Sequence, residues 1–131
     1  MKYMKRSTFL LLAAIGSFGF GALMFFAPAM GSDLLGLDPA TGTLSVLRGL
    51  GGLIIGSGAI NILACRSVDT ATLRIVLLAN IITHGFGLLA DAWGIADGAL
   101  TIVKMAPVES THLFVGIGSL ITLMRLPKGS R

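Results

Sequence analysis

Charge is what this sequence has least of. Only 12 % of its 131 residues are Asp, Glu, Lys or Arg, about half the share of an average soluble domain. Ten basic and six acidic side chains cannot cover a water-facing surface. Cysteine is nearly absent too. Cys65 stands alone, which excludes an intrachain disulfide framework, a CxxC redox motif and a cysteine-built zinc or iron–sulfur site within one chain. Intrinsic disorder is excluded from the other side, because 54 % of the residues are apolar and disorder needs low hydrophobicity. The length suits one domain, 1–131.

What is present is long apolar runs, with a mean hydropathy of +0.89. Uncharged stretches of 26, 17, 16 and 15 residues separate Arg6 from Asp33, Arg48 from Arg66, Arg74 from Asp91 and Glu109 from Arg125. A helix needs about 20 residues to cross the hydrocarbon core. The first run suffices alone, and the others suffice when a flanking charged residue sits at the interface. The pattern predicts helices near 8–29, 44–65, 73–94 and 107–126. Open strands would leave backbone groups unpaired in lipid. The expected fold is therefore all-α, an integral membrane four-helix bundle running up-down-up-down.

Basic residues orient it. Lys2, Lys5, Arg6, Arg66, Arg74, Arg125, Lys128 and Arg131 fall on one side, Arg48 and Lys104 on the other. The positive-inside rule puts both termini in the cytoplasm, and the expected location is the inner (cytoplasmic) membrane with several passes. The same bias explains the basic pI of 9.9 without a nucleic-acid partner; the partner expected is the lipid bilayer. A cleaved signal peptide is the competing reading of residues 1–29, with Ala27-Pro28-Ala29 as cleavage site. Its apolar stretch, however, exceeds the 7–15 residues of a signal core. The connections are expected at 31–43, 66–72 and 94–106, with Asp69 or Thr70 as a helix N-cap and Pro107 at the first position of the last helix.

Glycine is abundant, 18 residues in all, and concentrated in the spans. Lipid gives apolar helices no hydrophobic reason to associate, so small residues that let backbones approach carry the packing. Gly52 and Gly56 form a GxxxG pair on the second span. Asn61, on the opposite face from Arg48, is placed to meet another helix or subunit by a hydrogen bond. Self-association or docking into a larger membrane complex is expected on these grounds.

Polar side chains inside the spans are the informative remainder, because ionisable groups there are costly and face an interior. Asn80, His84, Gly87 and Asp91 share one helical stripe; Glu109, His112, Gly116 and Ser119 share another; Arg48, Gly52 and Gly56 a third. By helix rise, Arg48, Asp91, Glu109 and His112 lie about 7–12 Å outward of the middle of their spans, with His84 one or two turns deeper. The expectation is a salt bridge from Arg48 to Asp91 or Glu109. The cluster then reads either as an ion-pair clasp fixing helix register or as an outward-facing pocket for a ligand or proton. No metal or other cofactor is expected: one Glu-x-x-His motif is half a di-iron set, an arginine opposes a cation, and two histidines at different depths do not suit haem. No catalytic set emerges.

Phe26-Ala27-Pro28 closing the first helix, Leu47-Arg48-Gly49-Leu50-Gly51-Gly52 opening the second, a His and an Asp on the third and an acid after Pro107 together resemble small bacterial four-helix membrane proteins of the DoxX-like type. The resemblance implies the same layout, and a place as a membrane subunit, since some such proteins stand beside oxidoreductases; it carries over no catalytic residue. Three functions follow as expectations: an accessory or binding subunit; a small dimeric transporter or proton-coupled carrier; or a membrane enzyme on a quinone- or isoprenoid-like substrate, with Glu109 and His112 as acid and base. The topology itself is testable. Reporter fusions at Arg131 should read cytoplasmic and fusions within 31–43 external; an external C-terminus would overturn the helix count.

Overall fold

The computed structural model describes residues 4–127, so Lys2, Lys128 and Arg131 lie outside the described residues. Five helices account for the fold: α1 Arg6–Phe26, α2 Pro28–Leu35, α3 Thr41–Cys65, α4 Thr70–Ala96 and α5 Ile102–Met124. No strand occurs among the described residues. Three helices, α1, α3 and α4, are long and apolar enough to cross a membrane. In α5 the first half carries Lys104, Glu109, Ser110, Thr111 and His112, which lowers its apolar character.

The helix boundaries depart from expectation at two prolines. The first helix does not run on to residue 29. It stops at Ala27, whose φ of −130° and ψ of 57° are not helical, because the residue before a proline is pushed out of the helical region. Pro28 then opens α2 at N1, where its missing N–H costs nothing. The 31–43 segment is thus helical as far as Leu35. Gly36 ends α2 in the left-handed region at φ 72°, and Leu37 N–H donates to the Ser32 carbonyl at 2.9 Å, a Schellman-type stop. Pro107 is the other departure. It lies inside α5, not at its start. Burial decides this: Met105, 3 % exposed, joins an apolar cluster with Met24, Leu35 and Leu47, and that anchorage draws residues 102–106 into the helix.

Asp69 caps α4. Its carboxylate accepts from the N–H groups of Ala71 and Thr72, both at 3.0 Å, and from the Thr72 hydroxyl. The Thr72 hydroxyl first, and then the two N–H groups, hold the Asp69 carboxyl below its ordinary range.

α1 pairs with α3 along its length, and α4 with α5; the two pairs touch each other lightly. Apolar clusters close both ends. Phe9, Leu10, Ala64, Leu73, Leu77 and Leu126 pack at the end that carries the termini. Met24, Leu35, Leu47 and Met105 pack at the other. Between them the interior is polar: Ser17, Asn61, Asn80, His84 and Ser119 are buried there.

The α1–α3 pairing rests on glycine, though not on Gly52 and Gly56. A Cβ at Gly56 would meet nothing within 4 Å, and one at Gly52 only the Phe25 ring at 3.8 Å. The close approach is at Gly51, where a Cβ would lie 2.6 Å from the Phe25 nitrogen and 2.7 Å from the Gly21 carbonyl oxygen. Gly51 lies one residue round the helix from Gly52, so the packing face is rotated by about 100°. Gly51→Ala should therefore cost about 1–3 kcal/mol by overpacking against backbone. Gly56→Ala should gain about 0.5–1 kcal/mol from helix propensity. Thermal midpoints of the two variants in one detergent check the pair; equal shifts would refute this assignment of the interface.

Candidate functional site

The polar interior is built on two facing stripes. On α4 it carries Asn80, His84, Gly87 and Asp91; on α5, Glu109, His112, Gly116 and Ser119. The four ionisable members meet. His84 Nδ1 and His112 Nδ1 are 2.8 Å apart. His112 Nε2 lies 3.5 Å from Asp91 Oδ2, and the Glu109 carboxyl lies against that of Asp91.

Glycine makes the meeting possible. His112 lies over Gly87, where a Cβ would be 2.5 Å from its Cε1 and 2.6 Å from its Nε2. Across the same gap, a Cβ at Gly116 would sit 3.5 Å from His84 Cβ. The His112 ring thus depends on Gly87, while Gly116 stands in ordinary contact with the His84 Cβ, and the two rings come to 5.0 Å between centroids. The expected difference in depth between His84 and His112 does not hold. The middle of α4, halfway between Thr70 and Ala96, and that of α5, halfway between Ile102 and Met124, fall one residue from His84 and from His112. Starting α5 at Pro107 had moved its middle by more than half a turn.

One proton arrangement satisfies every contact in the line. Only one of two facing Nδ1 atoms can carry the bridging hydrogen. If His84 donates it, His112 accepts through Nδ1, and its Nε2–H then points at Asp91. The reverse tautomers set a nitrogen lone pair against a carboxyl oxygen. The network therefore assigns His84 Nδ1–H as donor. At 3.5 Å the His112–Asp91 contact is long for a hydrogen bond, and Asp91 Oδ2 and Glu109 Oε1 are buried without a partner. The line is complete at the imidazole pair and loose at the carboxyls. Chemically the carboxyl end can take up a proton, and the imidazole pair shares one between its two Nδ1 atoms.

A second polar contact ties this line to the rest of the bundle. Asn80 Nδ2 donates to Asn61 Oδ1 at 2.8 Å, and Asn61 Nδ2 donates to Asn80 Oδ1 at 3.4 Å and to the Ser57 carbonyl at 3.1 Å. The two amides are 1 % and 5 % exposed. They satisfy each other where no water reaches, and they join α3 to α4.

Arg48 is the correction. Its residue is exposed, and it makes no ion pair with Asp91 or Glu109, whose neighbour is His112 instead. The stripe argument placed it correctly on α3 but misjudged what α3 faces. α3 packs on α1, which carries no carboxylate, and turns Leu47 inward rather than Arg48. Nor do the two imidazoles frame a metal ion as they stand. Two nitrogens held about 2 Å from a tetrahedral ion stand about 3.3 Å apart, whereas the two Nδ1 atoms meet directly at 2.8 Å, in hydrogen-bond contact. Among the described residues no three His, Cys, Asp or Glu side chains are disposed around a common point for one. Comparison with family models, curated proteins and solved structures finds no match.

Sequence reasoning missed the imidazole contact and the glycines beneath it. The signal was present as His84-x-x-Gly87 and His112-x-x-x-Gly116, a ring and a gap on each of two facing stripes. Gly87→Ala should push the His112 ring out and break the pair. Gly85→Ala, whose Cβ meets nothing within 4 Å, should leave it intact. Imidazole nitrogen NMR on the two variants distinguishes them, and identical spectra would refute the cradle.

Proposed function

We propose that this chain is a four-span protein of the inner (cytoplasmic) membrane, with both termini in the cytoplasm, that acts as a proton-binding subunit of a larger or self-associated membrane complex. The observation that carries the reading is the direct contact of His84 Nδ1 with His112 Nδ1 at 2.8 Å, continued through Asp91 to Glu109. Buried ionisable groups in a span are costly and mark pathways or relays by default. Here one buried group, His84, and three half-buried ones, His112, Asp91 and Glu109, form one line between two helices.

Binding is favoured over through-passage by the two ends. The line stops at the apolar cluster of Phe9, Leu10, Leu73 and Leu77, which leaves no polar route to the termini. His112 and Asp91, with side chains 20 % and 19 % exposed, are the open members. Protons would enter and leave there, from the outer side in the proposed orientation. The fourth span in this reading is α5, with its polar half at the outer end. Its charged residues are tolerable because Lys104 donates to the Asp33 carbonyl at 3.1 Å and Glu109 lies against Asp91 of α4. Subunit status is supported by the outer face of α3, where Gly49 and Gly56 have open space before them and another helix could approach closely.

The test is difference infrared spectroscopy of the protein in lipid, titrated between about pH 4 and pH 9. Carboxyl and imidazole bands should change together in the native chain. His112→Ala should uncouple them, and Glu109→Gln should remove part of the carboxyl signal without abolishing the histidine one. A carboxyl band indifferent to His112→Ala would end the reading.

A further inference from the structure

α1 and α5 form a second seam, on a different face from the imidazole line and unused by it. Two hollows lie along it. The first, of about 220 Å³, is at the termini end and is bounded by Arg6, Thr122, Arg125 and Leu126. The second, of about 210 Å³, lies further along and is bounded by Leu12, Ala13, Gly16, Thr111, Phe114 and Val115. Both belong to the same stripes, since Arg6, Phe9, Ala13 and Gly16 recur at helical spacing on α1 and Arg125, Thr122, Val115 and Thr111 on α5. Phe9 separates the hollows. Its ring packs against Phe114 at 5.6 Å and occupies the space over Gly118.

The two hollows differ in chemistry. The first is cationic. Arg6 spends one guanidinium nitrogen on the Ser67 carbonyl at 3.0 Å and keeps the rest of its five N–H donors; Arg125 stands across the seam. The second is apolar in effect, despite its hydroxyls. Thr111 donates to the Pro107 carbonyl at 3.0 Å and the neighbouring Ser110 to the Ala106 carbonyl at 2.8 Å, so neither offers its hydrogen to the groove. From Arg6 to Gly16 the helix rises about 15 Å, half the hydrocarbon core and so the depth of one leaflet.

We propose that this seam binds one anionic glycerophospholipid of the inner leaflet, its phosphate between Arg6 and Arg125 and one acyl chain along Leu12, Ala13, Gly16 and Phe114. The occupant follows from charge complementarity at one end and an apolar hollow at the other, the two together extending one leaflet along α1 past Phe9. Basic pockets between spans on the cytoplasmic side are suited to anionic headgroups. The inference rests on the membrane orientation proposed above.

The test uses the full chain purified in a zwitterionic detergent. Thermal midpoints are compared with added phosphatidylglycerol, phosphatidylcholine and inorganic phosphate. Phosphatidylglycerol should raise the midpoint by roughly 5–10 °C at saturation, and the other two should not. The double variant Arg6→Gln, Arg125→Gln should lose the shift. Gly16→Leu should lose it too, with both arginines intact; a Cβ there meets nothing within 4 Å, so the added side chain enters the trough, and this variant decides the matter if the arginine variant fails to fold. Equal shifts with phosphatidylcholine, an equal effect of inorganic phosphate, or an undiminished shift in Gly16→Leu would each overturn the proposal. Alkaline carbonate extraction separates the two readings. Release of the chain from membranes overturns the embedding itself, whereas a retained chain without lipid preference overturns only the lipid site.

Discussion

Gly21 and Gly51 bring backbone against backbone, where neither side can give way. Much of the arrangement follows from it. Two helices that meet at that distance fill each other's faces, so α1 and α3 form one unit and neither has a broad face left for α4 or α5. The second pair must then attach through few contacts: an amide pair between Asn61 and Asn80, a phenyl ring over Gly118 and the apolar clusters at the ends. The ionisable side chains of α4 and α5 meet within that second pair, His84 against His112 and His112 against Asp91.

The same economy of contact governs the imidazole pair. Two rings whose nitrogens meet at 2.8 Å need their helices close, and a side chain at Gly87 would displace the His112 ring. Glycine therefore does two jobs here. On α1 and α3 it brings main chains together, and on α4 it clears space for a ring from α5. The first use leaves no cavity and the second creates a shaped one. Small residues in a membrane-type sequence are ambiguous between these uses until it is known what stands opposite.

That ambiguity marks how far the sequence could be read. The all-helical class, the long apolar helices and the stripes on α4 and α5 were legible, because charge spacing and helical period express them directly. The sequence groups Asp91, Glu109 and His112 with Arg48 at one level and sets His84 deeper, whereas the structure joins His84 to His112 and leaves Arg48 out. That geometry was not legible. The level of each residue depended on where α5 begins, and that start is decided by the burial of Met105 among residues distant in sequence. The role of Gly51 was hidden among neighbouring glycines, since a run of them on α3 offers more than one possible face. The partner of Arg48 was misjudged because a stripe says which residues share a face and not which helix that face meets.

Arg48 without a carboxylate need not be a defect. In the proposed membrane frame it stands five residues from the middle of α3, which spans Thr41–Cys65. That places its Cα about 7.5 Å from the midplane by helix rise, with a similar distance left to the edge of a hydrocarbon core about 30 Å thick. A long, flexible side chain covers much of that distance by laying its methylenes along the helix and its charge among headgroups. Its exposed position permits this, and burial toward α4 would forbid it. The carboxyls of α4 and α5 are thereby left to the histidines. Had Arg48 reached Asp91, the guanidinium would have held that carboxylate charged and removed it from proton exchange. In the proposed reading the line is left to take up a proton because Arg48 makes no ion pair with its carboxyls.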